Sequence, residues 1–271
     1  MARGGPGLRC ALGVLLAAGL GCLGCSSPGD TQPYPGMCSP LVGLTWSPMP
    51  DSEGAPTNSQ MRVAFSDYPD PDSVGPDDFL LTTGVFYYTG TYAVDLAGKA
   101  VVFQPAGMLR TNLGYTLSVG PPLQSLSGCP TTLDQRSFRT GDGPAARTPR
   151  LAVPFSDVAP ILASHCGGSG CHRQDPAAGG GCLTAPAAGL SLCDADAVSA
   201  LVDVRSRQVA RLTLVAPNDS ARSYLLRKLL PASPGGGPIP TVLGQREPPG
   251  APLTDDEIAT VAGWIDTGAG K

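Results

Sequence analysis

The chain has 271 residues, enough for two small domains or one larger one. Its 36 Gly and 29 Pro gather at 26–37, 141–150, 174–188 and 231–252, between stretches of clear periodicity, so they mark linkers and loops around folded cores rather than a disordered chain. A net charge of −4, with no basic run beyond Arg227-Lys228, argues against a nucleic-acid partner.

The N-terminus reads as a targeting segment over 1–25. Arg3 and Arg9 supply a positive region, and Ala11 to Leu20 is an apolar stretch too short to span a bilayer. Gly21-Cys22-Leu23-Gly24-Cys25 follows, then a polar tether over 26–40. This resembles a bacterial lipoprotein signal, in which the cysteine after the cleavage point is lipidated. Cys25 is the preferred site because the flexible tether follows it directly, and Cys22 is the alternative. The resemblance implies export and a membrane contact through lipid, at the outer membrane or in the periplasm. An ordinary secretory signal is the competing reading.

Residues 41–141 read as all-β. Met61, Val63 and Phe65 alternate with Arg62 and Ala64. Val85-Phe86-Tyr87-Tyr88 is β-branched and aromatic, and Tyr92 and Val94 alternate with small or polar neighbours. A turn at Leu96–Lys99 precedes Val101-Val102-Phe103; Tyr115, Leu117 and Val119 alternate again, and Ser137 to Gly141 closes the series. Short strands at this spacing predict a β-sandwich. Four pieces resemble bacterial Ig-like domains: Pro48 opening a polar loop to Asn58, Val63-Ala64-Phe65-Ser66, Tyr115-Thr116-Leu117 and Phe138-Arg139-Thr140-Gly141. Such domains are spacers or adhesion modules, and no catalytic constellation stands out in this one. Cys38 and Cys129 bracket the sandwich, and a bridge between them would contribute roughly 4–5 kcal/mol in the chain-entropy account.

A linker over 142–153 leads to a segment, 154–271, whose period changes from 2 to 3.6. Ser156 is the expected N-cap of a first helix, with Val158, Ile161, Leu162 and His165 at helical spacing and Pro160 tolerated in the first turn. A second helix is expected from Asp194 to about Val202. A third is expected to start near Asn218-Asp219-Ser220, with Tyr224, Leu225 and Leu229 on one face. The last has a capping box, Thr254 with Glu257, an apolar stripe of Ile258, Val261, Ala262 and Ile265, and Gly268 placed to end it. Trp264 is expected to pack.

The first helix delivers the chain to Cys166-Gly167-Gly168-Ser169-Gly170-Cys171-His172. Two thiols followed at once by an imidazole form an attachment site for c-type haem, here with four residues between the cysteines instead of the usual two. Cys166 and Cys171 would become thioethers and His172 the proximal iron ligand. Two other roles are open to them: disulfide cysteines of a haem-free domain, or zinc ligands with His172 and Cys182 or Cys193. With haem attached, Cys38, Cys129, Cys182 and Cys193 remain as two natural pairs.

Further pieces resemble the cytochrome c-like domains of secreted bacterial proteins: Val158-Ala159-Pro160-Ile161-Leu162 before the motif, Gly189-Leu190-Ser191-Leu192 after it, then Pro217, Ser223-Tyr224-Leu225, Lys228-Leu229, Arg246 to Leu253, and Trp264-Ile265-Asp266-Thr267-Gly268-Ala269. The resemblance implies a mostly α-helical class I cytochrome c-like domain in which the first and last helices cross beside the haem. One departure matters. Where the family carries Met-Pro as the distal ligand, this chain has Glu247-Pro248, and no Met follows Met108. Glu247, Lys228 or a tyrosine would have to substitute, or the iron stays open to small ligands; loss of Met ligation lowers the potential.

The expectation is therefore an envelope lipoprotein with a sandwich followed by a haem lobe, carrying electrons to or from an envelope partner rather than catalysing a reaction. There is no Ser/His/Asp set, phosphate-binding glycine loop or paired carboxylate in a suitable context. The alternative from a different class is a haem-less, disulfide-stabilised interaction or structural module.

Overall fold

A computed structural model describes residues 38–147, 149–167, 171–172, 182, 186–193, 196–233 and 242–270. The expected targeting segment, with Cys22 and Cys25, lies outside them. No helix among the described residues is long and apolar enough to cross a membrane.

Eight strands build two four-stranded antiparallel sheets. They are β1 Gly43–Ser47, β2 Met61–Phe65, β3 Phe79–Thr83, β4 Phe86–Tyr87, β5 Gly90–Asp95, β6 Ala100–Pro105, β7 Gly114–Val119 and β8 Asp134–Arg139. One sheet runs β1-β2-β6-β5 and the other β4-β3-β7-β8. The alternation read in the sequence aims the right side chains inward: Met61, Val63 and Phe65 from one sheet meet Phe79, Leu81, Tyr115 and Leu117 from the other, all buried. Phe79 packs edge-on against Tyr92, with ring centroids 6.3 Å apart. Cys38 and Cys129 are bridged, fixing the entrance to β1.

The C-terminal part departs from expectation. A mostly helical domain was expected; among the described residues it is helix-poor. It has α1 Phe155–His165, α2 Ala197–Leu201, α3 Tyr224–Leu229 and α4 Asp255–Asp266, joined by irregular chain. The Gly/Pro-rich connections explain this, because they cannot propagate a helix. Helix α1 starts one residue before the expected cap: Pro154 is its N-cap and Ser156 lies inside it. Pro160 consequently sits in the second turn rather than the first. Its missing donor orphans the Ser156 carbonyl, and both residues lie on the exposed side, where water can serve. Helix α2 begins at Ala197, and the segment expected to start α3 forms a separate 3₁₀ turn at Ser220–Arg222. Helix α4 matches its signature. The Thr254–Glu257 capping box is formed, and Gly268 follows the C-cap at φ +105°.

Helix α1 packs on α4. Phe155 and Trp264 rings lie 5.3 Å apart, and Trp264, fully buried, donates its Nε1–H to the Gly270 carbonyl at 2.7 Å. His165, at the end of α1, meets the Glu257 carboxylate at 2.9 Å. The two parts of the chain are not separate beads. Tyr68, Leu96 and Leu126 of the sandwich belong to the same buried cluster as Leu230, Leu253 and Ile258. Asp72 receives Arg211 and Arg222, each at 3.3 Å, and the Ser233 hydroxyl donates to the buried Asp67 carboxylate.

Candidate functional site

The site is assembled at the end of α1. Cys166 is the helix C-cap, its N–H donating to the Leu162 carbonyl at 2.9 Å, and its thiol is buried because Val158 and Leu162 on the same helix face the core. Cys171 and His172 are half-buried. The chain folds back on itself there: the His172 N–H donates to the Cys166 carbonyl at 3.3 Å. Segment 187–192 then runs alongside. Ala187 N–H donates to the Cys171 carbonyl and Leu192 N–H to the His172 carbonyl, both at 2.9 Å. The His172 ring is tied to the same segment, with Nδ1 3.3 Å from the Leu190 carbonyl oxygen. A carbonyl only accepts, so Nδ1 carries the proton and the electron pair of the neutral ring is on Nε2.

Segment 187–192 is itself anchored. Cys193 is bridged to Cys182, and its carbonyl accepts from Asp196 and Ala197 at the start of α2. With the two cysteines 11 positions apart, this bridge stabilises by about 3 kcal/mol in the chain-entropy account. The bridge also removes Cys182 and Cys193 from the zinc set considered above, and no group of three or more ligating side chains occurs among the described residues. Cys166 and Cys171 belong to neither bridge and remain thiols. The Cys166 thiol is pushed up to about 12, first by burial, then by the Glu247 carboxylate and by Cys171.

The Glu247 N–H donates to the Lys228 carbonyl at 2.8 Å. Lys228 and Tyr224, the other ligand candidates, are engaged elsewhere. The Lys228 amine nitrogen donates to the carbonyls of Leu243, at 3.0 Å, and Gln245, at 2.5 Å. The Tyr224 hydroxyl donates to Gln208 Oε1 at 2.7 Å, and burial raises its pKa, keeping it a phenol. Sequence reasoning missed the Leu190 carbonyl and the Lys228 clamp as functional contacts, because any residue supplies a backbone acceptor.

A cleft of about 1590 Å³ lies elsewhere, between the sandwich and α4. Three ion pairs line it: Arg62 with Asp95 at 2.7 Å, Arg150 with Asp266 at 3.8 Å and Arg222 with Asp219 at 3.2 Å. Neither cysteine of the motif nor His172 lines it.

Two packed antiparallel sheets, closed by the strand that ends Phe138-Arg139-Thr140, agree with the family comparison. Residues 40–140 match the family model of the bacterial Ig-like domain. This part of the chain is a bacterial Ig-like domain. Together with the chain's two disulfides, Cys38–Cys129 and Cys182–Cys193, this domain fits an extracytoplasmic, bacterial surface setting. Among solved structures, the N-terminal part of the bacterial S-layer protein SbsC is similar at 16% identity and a TM-score of 0.32, over 43% of this chain and 27% of that one. PcoC, a methionine rich copper resistance protein from Escherichia coli, is similar at 16% identity and a TM-score of 0.32, over 38% of this chain and 99% of that one. CopC from Methylosinus trichosporium OB3b shares 10% identity at a TM-score of 0.32, over 40% of this chain and 99% of that one. No curated protein matches.

Proposed function

We propose that this chain is an exported envelope lipoprotein, lipidated at Cys25 or Cys22, whose C-terminal lobe carries a covalent c-type haem and passes single electrons to an envelope partner. The observation that carries this reading is the His172 ring: Nδ1–H is committed to the Leu190 carbonyl, leaving Nε2 as the nitrogen an iron would take. A ligating histidine normally has its other nitrogen held in this way. Cys166 and Cys171 remain thiols immediately before it, in the order that attachment requires. The residues present therefore fit the group.

Bound haem would supply the one-electron chemistry. The chain's own residues do the rest. Leu190 fixes the His172 tautomer, α1 and α4 keep water from the Cys166 side, and Glu247 sets a negative charge there. With no Met beyond Met108, Glu247 either ligates the iron or leaves a position open to a small ligand such as CO. Both arrangements give a lower potential than Met/His ligation. The Ig-like domain carries no catalytic constellation and serves this reading as a wall against which the lobe packs.

Peptide mapping of the full chain, produced in a host that attaches c-type haem, tests the proposal. The peptide spanning Cys166 to His172 is expected to carry haem on both cysteines. If that peptide is recovered with unmodified thiols while a control cytochrome from the same host is loaded, the haem-free, disulfide-stabilised module is the reading that stands.

A further inference from the structure

Lysine is scarce in this chain, occurring only at 99, 228 and 271, and Lys228 is buried. A buried ammonium is costly unless its donors are used. Lys228 lies on α3, every residue of which is buried, and it reaches across to the loop before α4. Its ammonium donates to the carbonyls of Leu243 and Gln245, while its own backbone carbonyl accepts from the Glu247 N–H at 2.8 Å. Three bonds from one residue thus hold alternate positions of a five-residue stretch. Gly244, between the two gripped carbonyls, has φ +74°, and a Cβ there would stand 3.9 Å from the Lys228 Nζ and 3.8 Å from Gln208 Nε2. The left-handed turn at Gly244 allows both neighbouring carbonyls to face one cation.

We propose that Lys228 is the positioning residue that fixes the 243–247 loop, and with it Glu247, against α3, whose Leu226 and Leu229 share one buried cluster with Cys166. It is not an iron ligand. The bearing of the clamp on an iron site rests on the haem reading above; the clamp itself does not.

The test uses the full chain, exported from a host without c-type attachment machinery, so that Cys166 stays a thiol. Maleimide labelling of Cys166 is located by peptide mapping, and hydrogen exchange is followed in the peptide containing Glu247. Replacing Lys228→Met removes the ammonium and keeps an apolar stem. It is expected to speed both processes by about tenfold or more, as for losing hydrogen bonds to a charged donor. Exchange in β2 and β6 should stay unchanged, and Lys228→Arg should fall between the two. A folded Lys228→Met with unchanged labelling and exchange overturns the proposal. If that variant fails to fold, Gly244→Ala strains the same loop with Lys228 intact. Faster labelling supports the clamp, and unchanged labelling in that folded variant overturns it. A colourless wild-type chain from a host that attaches haem would defeat the haem reading alone, since the labelling result does not depend on it.

Discussion

His172 and Cys166 show opposite ways in which one segment controls a side chain. The His172 ring is oriented by a single backbone oxygen, Leu190, eighteen positions away. The Cys166 thiol is silenced by its surroundings and stays protonated at neutral pH. In the haem-free chain its alkylation should therefore be slow at neutral pH and accelerate as pH rises toward 12; a rate that levels off near pH 9 would contradict the burial argument. The linkage has a definite sign. The folded thiol holds its proton to higher pH than the unfolded one, so its stabilising effect is full below about pH 9 and is lost as pH rises toward about 12. Glu257 runs the other way. The Thr254 N–H, then His165, hold its carboxyl below the usual range, so its contribution is present above the ordinary carboxylate pKa and fades as pH falls through the folded value. At this scale the Cys-Cys-His motif and the Thr254–Glu257 cap were legible because they are local and use side chains. The contacts through Leu190, Leu243 and Gln245 were not, because they use main-chain oxygens.

Among the elements, β6 and β8 were read from a short apolar run and from the closing Ser137 to Gly141 segment, while β2, β5 and β7 announced themselves by alternation. Strands β1 and β3 did not. The register of β1 shifts between Gly43 and Thr45, leaving Leu44 and Thr45 both exposed, so its apolar residues break the period. In β3, Phe79-Leu80-Leu81 is continuously apolar and reads equally as a short buried helix segment. Val85-Phe86-Tyr87-Tyr88 reads as a strand because it is β-branched and aromatic; β4 is only two residues long and both are exposed. Helix α4 was the most legible element because cap, stripe and terminator agreed. Thr254→Ala is expected to lower stability by about 1 kcal/mol in urea denaturation, through loss of the cap. Trp264→Ala should cost about 3–5 kcal/mol, because Trp264 is fully buried against Phe155. A Trp264→Ala effect no larger than that of Thr254→Ala would mean that α4 does not pack as described.

At the scale of the whole molecule, the sandwich completes the core of the lobe. Tyr68, Leu96 and Leu126 fill positions among Leu230, Leu253 and Ile258 that a lobe standing alone would leave to water. The two tryptophans report this directly, one in each part, Trp46 in β1 and Trp264 in α4. Chains keeping only one of them, through Trp264→Phe or Trp46→Phe, should unfold with coincident midpoints once each is referenced to its own stability by circular dichroism. Midpoints that separate would show two independent domains. Nothing in the sequence pattern revealed this shared core, because Tyr68, Leu96 and Leu126 lie in turns outside the strands whose periodicity was read.

A covalent haem on Cys166 and Cys171 with His172 as its ligand, as proposed, would be read out by the reduced pyridine haemochrome spectrum. The full chain, with its sandwich wall in place, would be exported in a host able to attach c-type haem. We expect a c-type α-band that survives acid-acetone extraction and disappears in the Cys166→Ser, Cys171→Ser double variant. A colourless, folded wild-type protein, from a host that loads a control cytochrome, would contradict the account.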